Sequence, residues 1–307
     1  MEKVKCNLCQ SDEEEVIFPA AGYWEYDEKF RVVRCRQCGL VFVNPRPAKE
    51  EINKFYPEER YWAGEFCEKD YRPIYRPILE GFPGSGKILD VGAGTGALLN
   101  FFKENGWQVF GNEVAKEMVD DASKNFGIKL EGKDTLEISF PDSFFEAIVF
   151  NNSLEHLYQP RETLMRVRGW LKPNGLLIVT VPNIESLGFK IFGQYWNSLQ
   201  PPKHLYLFSP KTISKMLEKT GFKPMEVRHD YSVHNTYSLE QSLRFRFSPK
   251  FKEGVGAVLN KKPAKHSPYQ LALPLFKIFG YLSIFILAKL EPILKKGEAI
   301  TIYASKT

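Results

Sequence analysis

The chain has 307 residues, 43% of them apolar and 26% charged, which is ordinary for a globular protein and enough for one large or two modest domains. No internal repeat or low-complexity tract is present, which excludes a repeat array. The net charge of +5 is unevenly spread: residues 241–297 hold eleven Lys/Arg and two Asp/Glu, a local +9 that leaves −4 elsewhere, and such asymmetry calls for a partner.

Met1 to Cys6 carries no apolar core of the kind a secretory leader needs, so a cytoplasmic location is expected. Cys6-Asn7-Leu8-Cys9 and Cys35-Arg36-Gln37-Cys38-Gly39 are separated by 25 residues. Two residues between thiolates let one turn offer both sulfurs to one tetrahedral ion, and two such turns complete a four-thiolate site. Without a secretory leader, paired cysteines favour metal over disulfides. Strand-like stretches follow at Phe30–Arg34 and Leu40–Val43. Residues 1–45 therefore read as a zinc ribbon with Cys6, Cys9, Cys35 and Cys38 as ligands. All four corners are cysteine, so the zinc is expected to be structural.

Asn44-Pro45-Arg46-Pro47 stops the ribbon, and residues 46–85 form an aromatic-rich helical linker or cover. Most of it reads as a cover packed on the next domain, with Tyr61 or Tyr71 as the candidates both to pack and to face a site. Phe82-Pro83-Gly84-Ser85-Gly86 is a turn cluster and a boundary.

Lys87 to Asn100 is the stretch on which the rest is organised. Ile88, Leu89 and Val91 read as a short buried strand, with Asp90 near its C-terminal end. Gly92, Ala93, Gly94, Thr95 and Gly96 form a turn, and Ala97 opens a helix. A strand, a glycine turn and a helix make the first unit of a doubly wound sheet, with a ligand at the strand's C-terminal end. Gly92, Gly94 and Ala97 also satisfy the dinucleotide pattern, so the loop alone does not choose a ligand. Trp107–Glu113 reads as the second strand. Glu113 lies 23 residues after Asp90, where this fold places a carboxylate on ribose hydroxyls.

Ile128–Glu131 reads as a short third strand, followed by Asp134, Thr135 and Leu136. Phe144–Phe150 is a nearly continuous apolar run, as a central parallel strand should be, and it leads to Asn151-Asn152-Ser153-Leu154-Glu155-His156. A helix from Pro160 to Leu171 reaches Lys172-Pro173-Asn174-Gly175, a turn signal. Gly175–Val181 is the fifth strand, Lys223–His229 the sixth and Ala299–Ala304 the last.

The combination of Leu89-Asp90-Val91-Gly92-Ala93-Gly94-Thr95-Gly96, Glu113, Ser153-Leu154-Glu155-His156-Leu157 and Leu171-Lys172-Pro173-Asn174-Gly175 resembles class I S-adenosylmethionine-dependent methyltransferases. Pro202 to Ser209 and Lys219 to Phe222 look like the approach to their sixth strand, and the last residues look like their final antiparallel strand. With the two cysteine pairs, the chain resembles the zinc-ribbon-bearing branch, whose members often act on sugars or other biosynthetic intermediates. The resemblance covers most of residues 1–230 and the last ten. It implies an α/β, doubly wound Rossmann-like sheet with an antiparallel last strand over residues 86–230 and 298–307. S-adenosyl-L-methionine would be the cofactor. Asp90, Gly92, Ala93, Gly94 and Gly96 would line its methionine part and Glu113 its ribose. Asp134 and Thr135 would meet the adenine, and Asn151 would offer backbone. Tyr61, in the linker, is a further cofactor-binding candidate.

Methyl transfer needs orientation above all, and a base where the acceptor is a hydroxyl or an acidic carbon. His156, just past strand four, and His204, after strand five, are the candidates. Asn183 to Pro202, with Phe189, Phe192, Tyr195 and Trp196, is the expected acceptor cover, and an ordinary aromatic core also accounts for much of it.

Residues 231–297 form a basic, apolar helical insertion. Its segment 271–290 is apolar almost all round, but Pro274 and Lys277 leave no clean span of the ~20 residues that cross a bilayer. Residues 241–297 suit a helix lying on an anionic membrane surface, which would place the protein at the inner membrane face. A packed subdomain or a dimer interface also accounts for them. Two other functions stay open at this point: a nicotinamide-dependent oxidoreductase, and a nucleic-acid-modifying enzyme using the ribbon and insertion. The second is disfavoured because few stacking aromatics interleave the basic residues.

Overall fold

A computed structural model describes residues 1–23, 27–56, 71–82, 84, 86–229, 233–247, 286–290 and 293–307. The two cysteine pairs sit at the end of a small antiparallel sheet. Its strands are β1 (Glu14–Gly22), β2 (Lys29–Cys35) and β3 (Val41–Val43). β1 is absent from the sequence reading because Pro19 and two glutamates blur its pattern. It lies at the sheet's edge, where a missing N–H is tolerated.

A short 3-10 turn, Lys49–Phe55, and helix α1 (Arg72–Gly81) lead to the main sheet. There the chain runs through β4 (Lys87–Val91), α2 (Ala97–Glu104), β5 (Gln108–Asn112) and α3 (Lys116–Phe126). β6 (Phe145–Asn151), α4 (Pro160–Trp170) and β7 (Leu171–Pro182) follow. Next come α5 (Leu187–Phe192), the two-residue β8 (Tyr206–Leu207), α6 (Pro210–Lys219), β9 (Phe222–Arg228), α7 (Val233–Phe247) and β10 (Ala299–Lys306).

The six main strands are ordered β5-β4-β6-β7-β10-β9. β5, β4, β6 and β7 run parallel, and β10 is antiparallel to both neighbours. The order reverses between β4 and β6, so a crevice opens at their C-terminal ends. Alternate residues feed two cores. Ile88, Ala147, Val149 and Ile178 face α1, α2 and α3 through Tyr75, Leu99, Phe102 and Ala122. Leu89, Ile148, Leu177 and Val179 face α4 and α6 through Leu164, Val167, Ile213 and Leu217.

Two expected elements take a different form. Ile128–Glu131 makes only an isolated bridge, Asn112 to Glu131. Gly127 in a left-handed conformation caps α3 just before it, leaving too few residues for a strand. Lys172–Gly175 lies inside β7, as an excursion in its pairing with β6: Phe145 pairs with Leu171 but Ala147 with Leu176. Glu146 holds this excursion. Its carboxylate takes the Lys172 ammonium and, at 2.6 Å, the Lys87 amide.

The small sheet does not stand apart. β8 extends it, with Val41 opposite Leu207 and Phe42 opposite Tyr206. One face, with Val33, Phe42 and Tyr206, joins the main core. The other, with Val32, Val41 and Leu207, is covered by Trp196, Leu239 and Ala288. Trp196 and Phe192, expected over an acceptor, are therefore core residues, and the Trp196 indole donates to Glu298 at 2.7 Å. Residues 248–285, which carry most of the basic and apolar insertion, lie outside the described residues. Among the described residues no helix is long and apolar enough to cross a membrane.

Arg46 fastens the linker to the core. Its guanidinium donates to Glu2 at 2.7 Å, to the Tyr158 carbonyl at 2.9 Å and to the Tyr206 hydroxyl at 3.0 Å. It also lies 4.5 Å from the Tyr158 ring centroid. Arg46→Met should remove these three hydrogen bonds, leave the Tyr158 carbonyl to the Tyr206 hydroxyl alone, and lower stability by on the order of 1–3 kcal/mol in urea unfolding.

Candidate functional site

The loop after β4 is positioned by β5. The Asn112 carbonyl accepts from the Gly92 and Ala93 amides at 3.1 and 2.9 Å. Gly92, at φ +73°, has no room for a side chain: a Cβ would stand 2.7 Å from that of Ser153. Gly94, at φ +54°, has only the Met118 sulfur near its missing Cβ, at 3.7 Å. Gly96 instead packs α2 against Ala122 of α3. Of the three glycines, Gly94 leaves bare backbone beside open space.

Glu113 is partly exposed at the C-terminal end of β5. Its carboxylate accepts from the Gly94 amide at 3.0 Å and from the Val114 and Ala115 amides at 2.7 and 3.0 Å. The backbone thus fixes its orientation at the crevice. Asp90 is buried at 2% exposure, and its Oδ1 has no partner among the described residues. Burial first, and the Glu113 charge second, push its carboxyl up to about 7.

Asp134 lies further along the same edge. Its Oδ1 accepts from the Leu136 amide at 3.0 Å and its Oδ2 from the Lys49 ammonium at 2.7 Å. Thr135 is buried beneath, its hydroxyl 3.1 Å from the Asn112 amide nitrogen, so it braces β5 from below. Asn151 ends β6, and Asn152 follows at φ 53°. Tyr61 lies outside the described residues.

These carboxylates can only accept hydrogen bonds when ionised. A ligand bearing an ammonium, hydroxyls and an aromatic amine meets them favourably, whereas a pyrophosphate is repelled. The residues present therefore fit S-adenosylmethionine and disfavour a dinucleotide. The unpartnered Asp90 oxygen and the open backbone at Gly94 are the two places where such a ligand adds what the protein lacks.

Across the crevice the two candidate histidines meet. The rings of His156 and His204 are 4.7 Å apart, edge to face. His156 Nδ1 lies 3.0 Å from the Lys203 carbonyl and 3.0 Å from the Tyr56 hydroxyl. His204 Nδ1 lies 2.7 Å from the Ser198 carbonyl. A carbonyl only accepts, so the hydrogen-bond network assigns both protons to Nδ1 and leaves both Nε2 atoms with lone pairs. Burial pushes His156 down to about 4 and His204 well below its usual range. Both imidazoles are neutral near pH 7.

Glu155, named in the motif but given no role from sequence, is 1% exposed and neither carboxylate oxygen has a partner. Lys203 was also missed: it is buried, with its ammonium 5.4 Å from the Tyr56 ring centroid. Its place in a Pro-rich loop gave no periodic signal. Tyr56 carried one, as an aromatic closing a helical turn.

At the far end of the small sheet, the sulfurs of Cys6, Cys9, Cys35 and Cys38 lie within 4.8 Å of one another. The two turns match. Gln10 and Gly39, each just after the second cysteine of a pair, are left-handed at φ 65° and 82°, and their amides return to the Cys6 and Cys35 carbonyls. This converging thiol set suits one tetrahedral ion.

Residues 63–227 match the profile of a family described as a methyltransferase domain. Over 100 residues the chain is 32% identical to the ubiquinone/menaquinone biosynthesis C-methyltransferase of Desulfotalea psychrophila, covering 31% of this chain and 41% of that protein. It is 27% identical over 225 residues to the ubiquinone biosynthesis O-methyltransferase of Aliivibrio fischeri, covering 66% of this chain and 94% of that protein. A solved SAM-dependent methyltransferase from Archaeoglobus fulgidus aligns with a TM-score of 0.49 at 19% identity, covering 76% of this chain and 92% of that one. The chain thus spans less than half the length of the first relative and nearly all of the second.

The Asp90 carboxyl, raised to about 7, binds its proton more tightly in the folded state. Its contribution to stability is full below the unfolded carboxylate range, near pH 4, and is lost as pH rises through about 7. Asp90→Asn removes that dependence. The ligand-free variant should gain on wild type between pH 4 and 8, by on the order of 2–4 kcal/mol in denaturant unfolding. A difference that is flat with pH would contradict the assignment.

Proposed function

The chain belongs to the methyltransferase-domain family, and on that premise we propose that its acceptor is a small biosynthetic intermediate bound between the glycine loop and the His156–His204 pair. It is an S-adenosylmethionine-dependent methyltransferase, and the nicotinamide-dependent alternative is set aside. Bound, the cofactor supplies a methyl group on a sulfonium, already activated for transfer. Asp90 takes the amino acid's ammonium, the Gly94 backbone permits close approach, Glu113 holds the ribose hydroxyls and Asp134 the adenine amine. An acceptor hydroxyl or acidic carbon, of a sugar, a lipid-linked molecule or another intermediate, lies towards the histidines. The reading rests on one observation above all: open backbone at Gly94 beside a carboxylate that the loop itself orients.

The chain's own part is binding and alignment. The β4 and β6 ends set the cofactor's position, and Tyr56, Lys203 and the two imidazoles set the acceptor's. Held in line, the two reactants need little further chemistry, since orientation supplies much of the acceleration. Because the imidazoles are neutral and carry free Nε2 lone pairs, they can receive a hydrogen bond from an acceptor hydroxyl. Calorimetry is the test. S-adenosylhomocysteine should bind while NADH gives no heat, and Gly94→Ala and Glu113→Gln should each weaken binding roughly tenfold or more. Binding of NADH alone would overturn the reading.

We assign a structural zinc to Cys6, Cys9, Cys35 and Cys38. Support comes from the converged sulfurs and the matched turns. Because β3 pairs with β8, zinc loss should be felt in the main sheet. Chelation should release one zinc per chain and lower the thermal midpoint of the whole protein, read by calorimetry and metal analysis. Melting of a separate small unit, with the main transition unmoved, would count against the coupling.

A peripheral membrane contact through residues 241–297 is a second reading. It draws on the local +9 and on Ile286, Leu290, Ile293 and Leu294, each at least 40% exposed, with Leu290 four residues after Ile286 and Ile293 and Leu294 three and four residues after Leu290. Flotation with anionic vesicles should carry the protein at low salt and release it at high salt. No flotation at low salt would dispose of it.

A further inference from the structure

Glu155 is the residue the proposed chemistry leaves without a task. Its two oxygens lack partners among the described residues, at 1% exposure. An ionised carboxylate in such a place is costly unless it is paired or coordinates a metal. What stands beside it is decisive. One carboxylate oxygen of Glu155 and one ring nitrogen each of His156 and His204 all lie within 4.8 Å of one another.

We propose that Glu155, His156 and His204 form a second metal site, built to take a divalent transition-metal cation through two imidazole nitrogens and one carboxylate.

Four features of the geometry support it. Both imidazoles hand their Nδ1 protons to backbone carbonyls, of Lys203 at 3.0 Å and of Ser198 at 2.7 Å. That is how ligating histidines are commonly oriented, and it points the Nε2 lone pairs elsewhere. The rings meet edge to face at 4.7 Å, close enough to share an ion. The backbone around the cluster is pinned: the Leu205 amide donates to the Glu155 carbonyl at 2.9 Å, and the His204 amide to the Gln200 carbonyl at 3.1 Å. Finally, the ligand types differ from those of the cysteine site. Imidazole with carboxylate suits zinc, iron, cobalt or manganese, whereas four thiolates select zinc. With bonds of about 2.0–2.2 Å, ligand atoms around one ion stand closer than the widest separation here. Binding should therefore draw the three side chains inward by side-chain rotation. The Lys203 ammonium, whose charge acts on both imidazoles, lies 5.7 and 5.4 Å from the Tyr23 and Tyr56 ring centroids.

Three protein ligands leave a coordination position open. In the crevice of a methyltransferase that position suits an acceptor oxygen, because a metal-bound hydroxyl loses its proton more readily. This role rests on the proposed acceptor position; the ion's binding does not. The ligand class it favours is an acceptor with a hydroxyl, or two neighbouring oxygens, able to reach the metal.

The test uses full-length, zinc-loaded protein and Co2+ alone as the probe. Co2+ should bind as a further equivalent, with the weak visible absorption of nitrogen and oxygen ligands and no thiolate-to-cobalt charge transfer. Glu155→Gln and His204→Gln should weaken that binding by at least the roughly 10–100-fold that loss of a mere supporting contact costs. S-adenosylhomocysteine binding, measured in parallel, reports whether each variant has folded. Failure of S-adenosylhomocysteine to bind even wild type would count against the methyltransferase reading and leave the metal result standing. Should a variant not fold, wild type decides. Bound Co2+ should shift two imidazole N–H proton resonances paramagnetically, those given to Lys203 and Ser198. No further equivalent of Co2+, a purely thiolate spectrum, unchanged affinity in folded variants, or no shifted imidazole resonance would each overturn the proposal.

Discussion

The crossing at Leu205 holds the molecule's working parts together. Its amide donates to the Glu155 carbonyl at 2.9 Å, and its carbonyl accepts from the Val43 amide at 3.0 Å. One residue thus ties the turn after β6 to the last strand of the cysteine-bearing sheet. The next two residues pair with Val41 and Phe42. The small sheet therefore belongs to the wall of the crevice, and His204 is delivered to His156 by the same crossing. Arg46 and Tyr206 reinforce the seam from within the core. A strand of only two residues adds few hydrogen bonds. It is held because both faces of the sheet it joins are covered by apolar side chains, where unpaired backbone groups would be costly.

The electrostatics of the crevice follow from its carboxylates. Asp90, Glu113 and Asp134 lie along one edge, each fixed by a different means: burial, backbone amides and a lysine. When ionised, they make an edge that accepts and does not donate. This chemistry separates a sulfonium amino acid joined to adenosine from a dinucleotide, which the glycine spacing alone could not do. By the turn after β6 the charge is different in kind. The two imidazoles are uncharged by burial, the Glu155 carboxylate has no hydrogen-bond partner among the described residues, and the Lys203 ammonium is the cation whose charge acts on both rings.

Parts of this were legible in the residues. Continuous apolar runs such as Phe144–Phe150 marked central strands, because both faces of a parallel sheet are buried. The C-x-x-C spacing marked four converging thiols, because the distance between sulfurs is set by the local turn. Other parts were not. Ile128–Glu131 had a strand's composition, but a strand needs length beyond its cap, and Gly127 took that away. Lys172–Gly175 had a turn's composition and is accommodated inside a strand, because Glu146 on the neighbouring strand holds it. Thr135 and Trp196 were placed near ligands by their neighbours in sequence, yet Asn112 and Glu298 engage them in the interior. Glu155 was visible in the motif, but a carboxylate's isolation is a property of everything around it.

The sequence by itself determined the chain order of the six main strands and the residue types available at their C-terminal ends. These depend on local periodicity, on glycine at left-handed positions and on residue type. Only the tertiary structure decided that the small sheet is stitched into the main one, and that His156 and His204 touch. It alone showed Gly94 to be the glycine facing open space, and Glu155 to be buried without a partner. Each of these depends on pairing or burial between residues tens of positions apart, which no local pattern encodes. The loop from Asp90 to Gly96 shows both sides: its glycines announced a turn, and the packing of Ser153, Met118 and Ala122 assigned each one its part.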